Sequence, residues 1–184
     1  GSDNQKTKQK LFFQTRAASL YQKMLSCSNN FIAEHLLLMA SFEHFGCFNT
    51  DSIIQYASDH FLNNLPENVI WKDGSGLSRY NMVTPGSIVL LLEKMYDQLP
   101  EDYLFNLLAK PGKKGTLSEF IQDRKKIHVY AKTGSMSNHY NIAGFVITRR
   151  GKRLIFCLMH NHHTQDKEKI QKKVEKLLLD LYAF

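Results

Sequence analysis

One short segment, Lys132-Thr133-Gly134-Ser135, brings together side chains that can bind an anion. The β-rich sequence before it predicts that Lys132 ends a strand and that the two hydroxyl residues follow. Alternate residues of a strand face opposite sides, so Lys132 and Gly134 would face one side and Thr133 and Ser135 the other. Glycine leaves room for a substrate against the strand backbone, where the lysine and the hydroxyls could hold a carboxylate. The alternative interpretation is an edge-strand lysine followed by a turn.

A second polar segment, Ser28-Asn29-Asn30, lies between two predicted helices in the first part of the chain. Serine acyl-transferases combine an S-x-x-K nucleophile with an S-D-N-type segment and a K-T-G strand, and this tripeptide has the S-x-N pattern. Serine and asparagine are also preferred residues at helix N-termini. Helix capping is therefore the alternative interpretation of this segment.

A third segment, Asp73 to Asn81, has the turn-rich sequence Asp-Gly-Ser-Gly-Leu-Ser-Arg-Tyr-Asn. This segment, the run from Tyr21 through the S-x-N tripeptide to Glu34, and the K-T-G-S segment resemble three motifs of the class C low-molecular-mass penicillin-binding proteins. These proteins are D-alanyl-D-alanine carboxypeptidases and endopeptidases. The order and spacing of the motifs agree from about residue 17 to the C-terminus. By this resemblance the chain is identified as the C-terminal portion of such an enzyme.

The resemblance implies catalytic roles for three residues. Ser28 would relay a proton towards the leaving amine, and Asn30 would orient the substrate and the catalytic lysine. Lys132 would hold Ser28 by a hydrogen bond and would stabilise charge in the cleft.

The same resemblance makes Thr133, Gly134 and Ser135 a substrate-binding edge. Thr133 and Ser135 would bind the carboxylate of the terminal D-Ala, and the Ser135 backbone N–H would be one oxyanion donor. The segment Asp73 to Asn81 would be a loop that shapes the floor of the cleft, and Asp73 itself is expected to be structural.

The S-x-x-K nucleophile of the family is missing from this chain. None of the serines is followed by lysine three positions later, and Ser19 has Lys23 four positions away. We therefore expect the nucleophile to precede residue 1, residues 1–2 to be a cloning scar, and residues 3–184 to form a single C-terminal portion of the catalytic domain. The chain alone is expected to be inactive, because removing a catalytic nucleophile costs on the order of a million-fold in turnover.

The expected partners also follow from the resemblance. For the full-length parent they are the peptidoglycan stem peptide and β-lactams, which implies a periplasmic hydrolase without a cofactor. In the family the first strand pairs with the last, so Arg153 to Met159 would expose an apolar edge here and favour a homodimer or aggregation. The alternative function is a non-catalytic module with the same fold that binds peptidoglycan peptides or another partner.

Composition argues against several other classes of function. The net charge of +7 and the pI near 9.3 favour anionic partners, but the basic residues are scattered without an aromatic platform, so nucleic acid is not expected. No apolar run approaches the ~18 residues of a membrane span. The three cysteines lack CxxC spacing, and the run His160 to His163 lacks a completing carboxylate or cysteine, so we expect no metal site.

The elements that must position these residues are helices first and strands second. Helical periodicity and end signals predict helices before Ser28, from Phe31 to about Phe45, and from near Asn49, Thr84, Glu101 and Asp166. The predicted strands are Ile127–Lys132, Tyr140–Thr148 and Arg153–Met159. The prediction is an α+β protein in which helices are followed by a three-stranded antiparallel sheet and a C-terminal covering helix. The resemblance implies that this is part of the β-lactamase/penicillin-binding transpeptidase-like fold.

Overall fold

The computed structural model describes residues 17–121 and 127–184, so the predicted scar lies outside the described residues. Within them, helices precede a three-stranded sheet and one helix follows it, which confirms the predicted α+β arrangement. None of the described helices is long and apolar enough to cross a membrane. In chain order the elements are α1 (17–26), α2 (Asn30–Phe45), α3 (Thr50–Ala57), a π-helical turn (Ser58–Leu62), α4 (Pro85–Gln98), α5 (Glu101–Leu107), β1 (His128–Met136), β2 (His139–Ile147), β3 (Arg153–Asn161) and α6 (Lys167–Ala183).

Side-chain caps define the starts of three helices. The Asn29 and Asn49 side chains each accept a hydrogen bond of 3.0 Å from the backbone N–H three residues later, and Thr84 caps α4 in the same way. At the end of α2, Gly46 adopts φ 72°, and its N–H donates to the Phe42 carbonyl. Glycine takes this left-handed conformation without steric cost, so the local sequence is sufficient to end the helix here.

The sheet has the strand order β1-β2-β3, and both strand pairs are antiparallel. Its first hairpin is tighter than the sequence predicts, because the predicted strands end at Lys132 and begin again at Tyr140, whereas only two residues separate β1 from β2 in the structure. Asn138 adopts φ 65°, a conformation that asparagine tolerates in two-residue hairpin turns. Gly134 and Ser135 therefore lie within β1 and pair with β2 instead of forming a turn.

Both faces of the sheet are covered by helices. On one face α6 contributes Ile170, Val174 and Leu178, which belong to the same apolar cluster as buried residues of the strands. On the other face α4 and α5 pack, and the Tyr130 ring of β1 stacks on Phe105 with the centroids 4.2 Å apart. Because strand side chains alternate, Tyr130 lies on the face that α4 and α5 cover, and Val129 and Ala131 lie on the face that α6 covers.

Strand β3 lies at an edge of the described sheet, as the family resemblance implies for Arg153 to Met159. Helix α4 packs on this strand, and Arg153 forms an ion pair with Glu101, whose carboxylate also accepts a hydrogen bond from Tyr96. The side chains from Leu154 to Met159 are buried or half-buried. The accessible part of this edge is therefore its backbone, and the predicted apolar surface is largely covered.

Candidate active site

Ser28 lies in the short connection between α1 and α2 and adopts a left-handed backbone conformation with φ 54°. Few residues other than glycine take this conformation, and those that do are often held there by their surroundings at functional sites. The side chain that caps α2 belongs to Asn29. Capping therefore explains Asn29, and the side chains of Ser28 and Asn30 are available for other partners.

The end of α1, two residues before Ser28, is held by a close backbone contact. The Thr116 N–H donates to the Ser26 carbonyl at 2.9 Å, and a Cβ on Gly115 would lie only 2.6 Å from the same oxygen. Ser26 is buried, and its hydroxyl donates to the Gln22 carbonyl at 2.7 Å. A residue larger than glycine at position 115 would push this loop away and displace the connection that carries Ser28.

Lys132 extends from β1 and donates a hydrogen bond of 2.7 Å to the Ser28 hydroxyl, across a sequence separation of 104 residues. The same ammonium group donates to the Thr133 carbonyl. The two segments that the sequence singles out are therefore in direct contact. This is the contact through which a hydroxyl and an amine can exchange a proton.

Burial lowers the pKa of Lys132 from 10.5 to about 8. Desolvation disfavours the ammonium form, and no carboxylate among the described residues forms an ion pair with it that would offset the cost. A lysine with a pKa near 8 populates both protonation states close to neutral pH. It can therefore donate to the Ser28 hydroxyl in one state and accept a proton from it in the other.

Strand β1 separates two cavities, because its side chains alternate. Lys132 faces the side of α1 and α2, where it lines a small cavity together with Ser28 and Asn30. Thr133 and Ser135 face the other side, in an open cleft of about 370 Å³ whose wall includes residues of α6. Ser28 lines both cavities, and its hydroxyl contacts the Lys132 amine.

The backbone of β1 is open to the larger cleft beyond Ala131. Ala131 pairs with Ala109 on the outer edge of the strand through two hydrogen bonds of 3.0 Å. Backbone groups point the same way at every second residue of a strand, so those of Thr133 and Ser135 also point outward. No strand among the described residues pairs with them there. The Ser135 N–H is thus positioned to donate to a ligand in the cleft.

The loop Asp73 to Asn81 is organised around the Asp73 carboxylate. This carboxylate accepts hydrogen bonds from three backbone N–H groups and two side chains, which belong to Gly76, Leu77 and Ser78 and to Ser75 and Asn81. Burial alone would raise the pKa of Asp73, but these hydrogen bonds outweigh it and hold the pKa below 3.8. Asp73 therefore stays ionised and has the structural position expected of it.

The same loop packs against the first turns of α2, beside Ser28. The Ser75 N–H donates to the Glu34 carboxylate at 3.0 Å, and a Cβ on Gly74 would lie 2.7 Å from the Ala33 carbonyl oxygen. Gly74 and Ser75 also line the small cavity that contains the Lys132 amine. Glu34 thus holds this loop against the site.

The structure brings the six predicted site residues together at β1 and the α1–α2 connection. Five of them line the two cavities, namely Ser28, Asn30, Lys132, Thr133 and Ser135. Gly134 lies between the last two, is exposed, and has open space where a side chain would be, with the nearest atom 4.0 Å away. Among the described contacts, no hydrogen bond joins Asn30 to Lys132, so its expected orienting role is not visible here.

Sequence reasoning missed four residues in the wall of the larger cleft, which are Thr116, Tyr140, Lys167 and Gln171. Tyr140 is only 2% exposed and forms a hydrogen bond with Gln171. Lys167 and Gln171 are one helical turn apart, on the side of α6 that carries Ile170 and Val174. Helical periodicity was the one signal that could have placed Lys167 and Gln171 near the sheet. It does not predict which strand these two residues contact.

Groups suited to metal binding do not cluster in the described part of the chain. No set of three or more His, Cys, Asp or Glu side chains there could hold an ion. The cysteines Cys27, Cys47 and Cys157 are free thiols, and burial raises the pKa of Cys157 to about 11.

The fold places this protein with the β-lactamases and penicillin-binding proteins. An extended-spectrum β-lactamase structure matches it with a TM-score of 0.64, over 90% of this chain and 62% of that one, and at 18% identity this likeness concerns the fold alone. Within that class, the profile of the D-Ala-D-Ala carboxypeptidase 3 (S13) family matches residues 3–181. The chain belongs to this family.

A sequence comparison and a structure comparison, both with a protein named dacB from Haemophilus influenzae, support the assignment. The D-alanyl-D-alanine carboxypeptidase DacB is 31% identical over 166 residues, which cover 84% of this chain and 34% of that protein. The crystal structure of penicillin-binding protein 4 (dacB), in complex with a β-lactam, is 29% identical with a TM-score of 0.78, over 90% of this chain and 41% of that chain. The chain thus spans about a third of the length of the curated relative.

Proposed function

We propose that this chain supplies the substrate-holding and proton-relay part of a serine-type D-alanyl-D-alanine carboxypeptidase that acts on peptidoglycan stem peptides through an acyl-enzyme. The observation that carries the proposal is the 2.7 Å hydrogen bond between Lys132 and Ser28 beside the open edge of β1. Membership of the S13 family supports the reaction type. A peptidoglycan substrate lies outside the cytoplasm, so we propose a periplasmic location for the parent protein.

In this proposal Ser28 and Lys132 move the proton that the leaving amine needs. Ser28 lines both cavities, so its hydroxyl can face a scissile bond on one side while it keeps the Lys132 amine on the other. The lowered pKa of Lys132, about 8, lets the amine replace the proton that the hydroxyl gives up. Asn30 lines the same small cavity and would contact the substrate backbone.

The β1 edge would hold the substrate as an added strand. A peptide beside Thr133 and Ser135 could use the outward backbone groups for main-chain hydrogen bonds, and Gly134 would leave room for it. The two hydroxyls would bind the terminal carboxylate. The Ser135 N–H would donate to the oxyanion that forms when the carbonyl is attacked.

Binding of a carboxylate peptide tests this proposal directly. N-acetyl-D-Ala-D-Ala should produce saturable NMR shifts at β1 and at Ser28, and Ser135→Ala should weaken binding about 3- to 10-fold through the loss of one hydrogen bond. Ser137→Ala is the matched control, because Ser137 lies two residues later in the exposed turn. The absence of saturable shifts, or an equal loss in both variants, would contradict the proposal.

We expect no covalent reaction of the isolated chain with penicillin. None of the serines in its 184 residues is followed by lysine at the third position, so the S-x-x-K nucleophile is absent from this sequence. Intact mass spectrometry after incubation with benzylpenicillin should show only the unmodified protein. A stoichiometric adduct on a serine would overturn this expectation. An S-x-x-K segment in the parent coding sequence would exclude the alternative, a binding module without catalysis.

We also propose that β3 associates with a second copy of the chain. The strand is at an edge of the described sheet, and exposed strand edges recruit partner strands. Sedimentation velocity should then show a concentration-dependent dimer or larger species, together with slow amide exchange along Arg153 to Met159. A monomer at every concentration, with rapidly exchanging β3 amides, would count against this association.

A further inference from the structure

A lysine on α6 faces the same cleft as the predicted carboxylate-binding hydroxyls. Lys167 lines this cleft together with Thr133 and Ser135, and its Nζ lies 6.0 Å from the ring centroid of Tyr140, which is 2% exposed. The neighbouring acid, Asp166, forms its ion pair with Lys169 at 3.5 Å. Within the described residues Lys167 itself has no ion-pair partner, so its charge is available to a ligand.

Lys132, the other basic residue of the site, is poorly placed to attract a ligand into the larger cleft. Lys132 faces the opposite side of β1, and its hydrogen bonds go to the Ser28 hydroxyl and the Thr133 carbonyl. Burial also lowers its pKa to about 8, so part of its charge is lost close to neutral pH. Thr133 and Ser135 contribute hydroxyl groups but no charge. Among the residues that line the larger cleft, Lys167 is therefore the one with a basic side chain.

We propose that Lys167 is a specificity-determining residue that draws the free carboxylate of the peptide into the cleft beside Thr133 and Ser135. This inference rests on the proposed function, because it concerns the same ligand on the same strand edge. The hydroxyls would fix the orientation of the carboxylate at short range, whereas Lys167 would supply attraction over a longer distance. The site would then prefer peptides with an ionised C-terminus to neutral analogues.

Two ligands and three variants separate this role from a general effect of charge. The ligands are N-acetyl-D-Ala-D-Ala and its C-terminal amide, which lacks the negative charge. The variants are Lys167→Ala, Lys167→Arg and the control Lys176→Ala, which removes an exposed lysine about two and a half turns further along α6, on its opposite side. Affinities are measured on the full chain by NMR titration, and thermal melts of each variant establish that it is folded.

The expected result is a loss confined to the charged ligand. Lys167→Ala should weaken binding of the acid about 3- to 10-fold, the range for one charge at 5–6 Å in a partly hydrated cleft, and leave the amide unchanged. Lys167→Arg should retain the affinity of the original chain. The difference in affinity for the acid between Lys167→Ala and the original chain should become smaller at high salt, because salt screens the attraction between the charges.

Each contrary outcome has a separate meaning. If the original chain binds the acid but Lys167→Ala binds it equally well, the inference about Lys167 is refuted and the proposed function is not. The same holds if Lys167→Ala weakens both ligands alike, or if Lys176→Ala has the same effect. If the original chain binds neither ligand, the proposed function fails, and the role of Lys167 fails with it.

Discussion

Replacing Lys132 by methionine should change the stability of the chain in opposite directions at pH 7 and pH 10. The substitution removes a buried amine and keeps an unbranched side chain. In the folded chain the pKa of Lys132 is about 8, against 10.5 for an unperturbed lysine. The unfolded chain therefore binds the proton more tightly, so Lys132 lowers stability below pH 8. This penalty disappears as the pH rises from 8 towards 10.5.

The size of the penalty follows from these two pKa values. Their difference of between two and three pH units corresponds to about 3 kcal/mol well below pH 8. Proton linkage reduces the penalty to about 2 kcal/mol at pH 9 and about 1 kcal/mol at pH 10. Methionine cannot make the hydrogen bonds to Ser28 and Thr133, and each of these contributes about 1 kcal/mol. Lys132→Met should thus be more stable by about 1 kcal/mol at pH 7, equal near pH 9, and less stable by about 1 kcal/mol at pH 10.

Urea unfolding followed by the fluorescence of Trp71, the one tryptophan of the chain, measures this difference at pH 7, 8, 9 and 10. Lys176→Met is the matched control, because this exposed lysine should change stability by less than about 0.5 kcal/mol at every pH. The reasoning would be refuted if the difference in the free energy of unfolding between Lys132→Met and the original chain stayed constant from pH 7 to pH 10. A variant that is less stable than the original chain at pH 7 would also refute it.

Two further predictions concern the loop that forms a wall of the small cavity. Gly74→Ala should destabilise the chain by about 1–3 kcal/mol and weaken ligand binding, because the new methyl group would lie 2.7 Å from the Ala33 carbonyl oxygen of α2. Gly86→Ala is the control, because Gly86 lies in the first turn of α4 and the nearest atom to the new methyl group would be 3.8 Å away. This variant should stabilise the chain by about 0.5 kcal/mol. Equal changes in the free energy of unfolding for the two variants, measured in urea, would contradict the prediction. Asp73→Asn should lower the free energy of unfolding at pH 7. The difference in stability from the original chain should become smaller as the pH falls below about 3.8, because Asp73 stabilises the fold only while it is ionised. A deficit that does not change between pH 7 and pH 3 would show that the charge of Asp73 is unimportant.

Much of the fold can be predicted from the sequence because it depends on neighbours a few residues apart. Gly46 ends α2, Asn49 and Thr84 begin α3 and α4, and the spacing of Ile170 and Val174 predicts the buried side of α6. The hairpin after β1 was the main error in the strands. Its turn residues look alike in sequence from position 134 to 138, and only the pairing with β2 shows where the strand ends.

Some features of the site follow from the sequence alone, and others depend on the tertiary structure. The sequence alone determines that Ser28, Lys132 and the Thr133 and Ser135 hydroxyls are present in the order of a known family, and that no serine carries the S-x-x-K pattern. Only the tertiary structure decides that Lys132 reaches Ser28 across 104 residues and that its pKa is lowered by burial. It also decides that Lys167 lines the same cleft as Thr133 and Ser135. Distances between remote segments and exclusion of water depend on how α1, β1 and α6 pack together, and no local pattern in the chain encodes that packing.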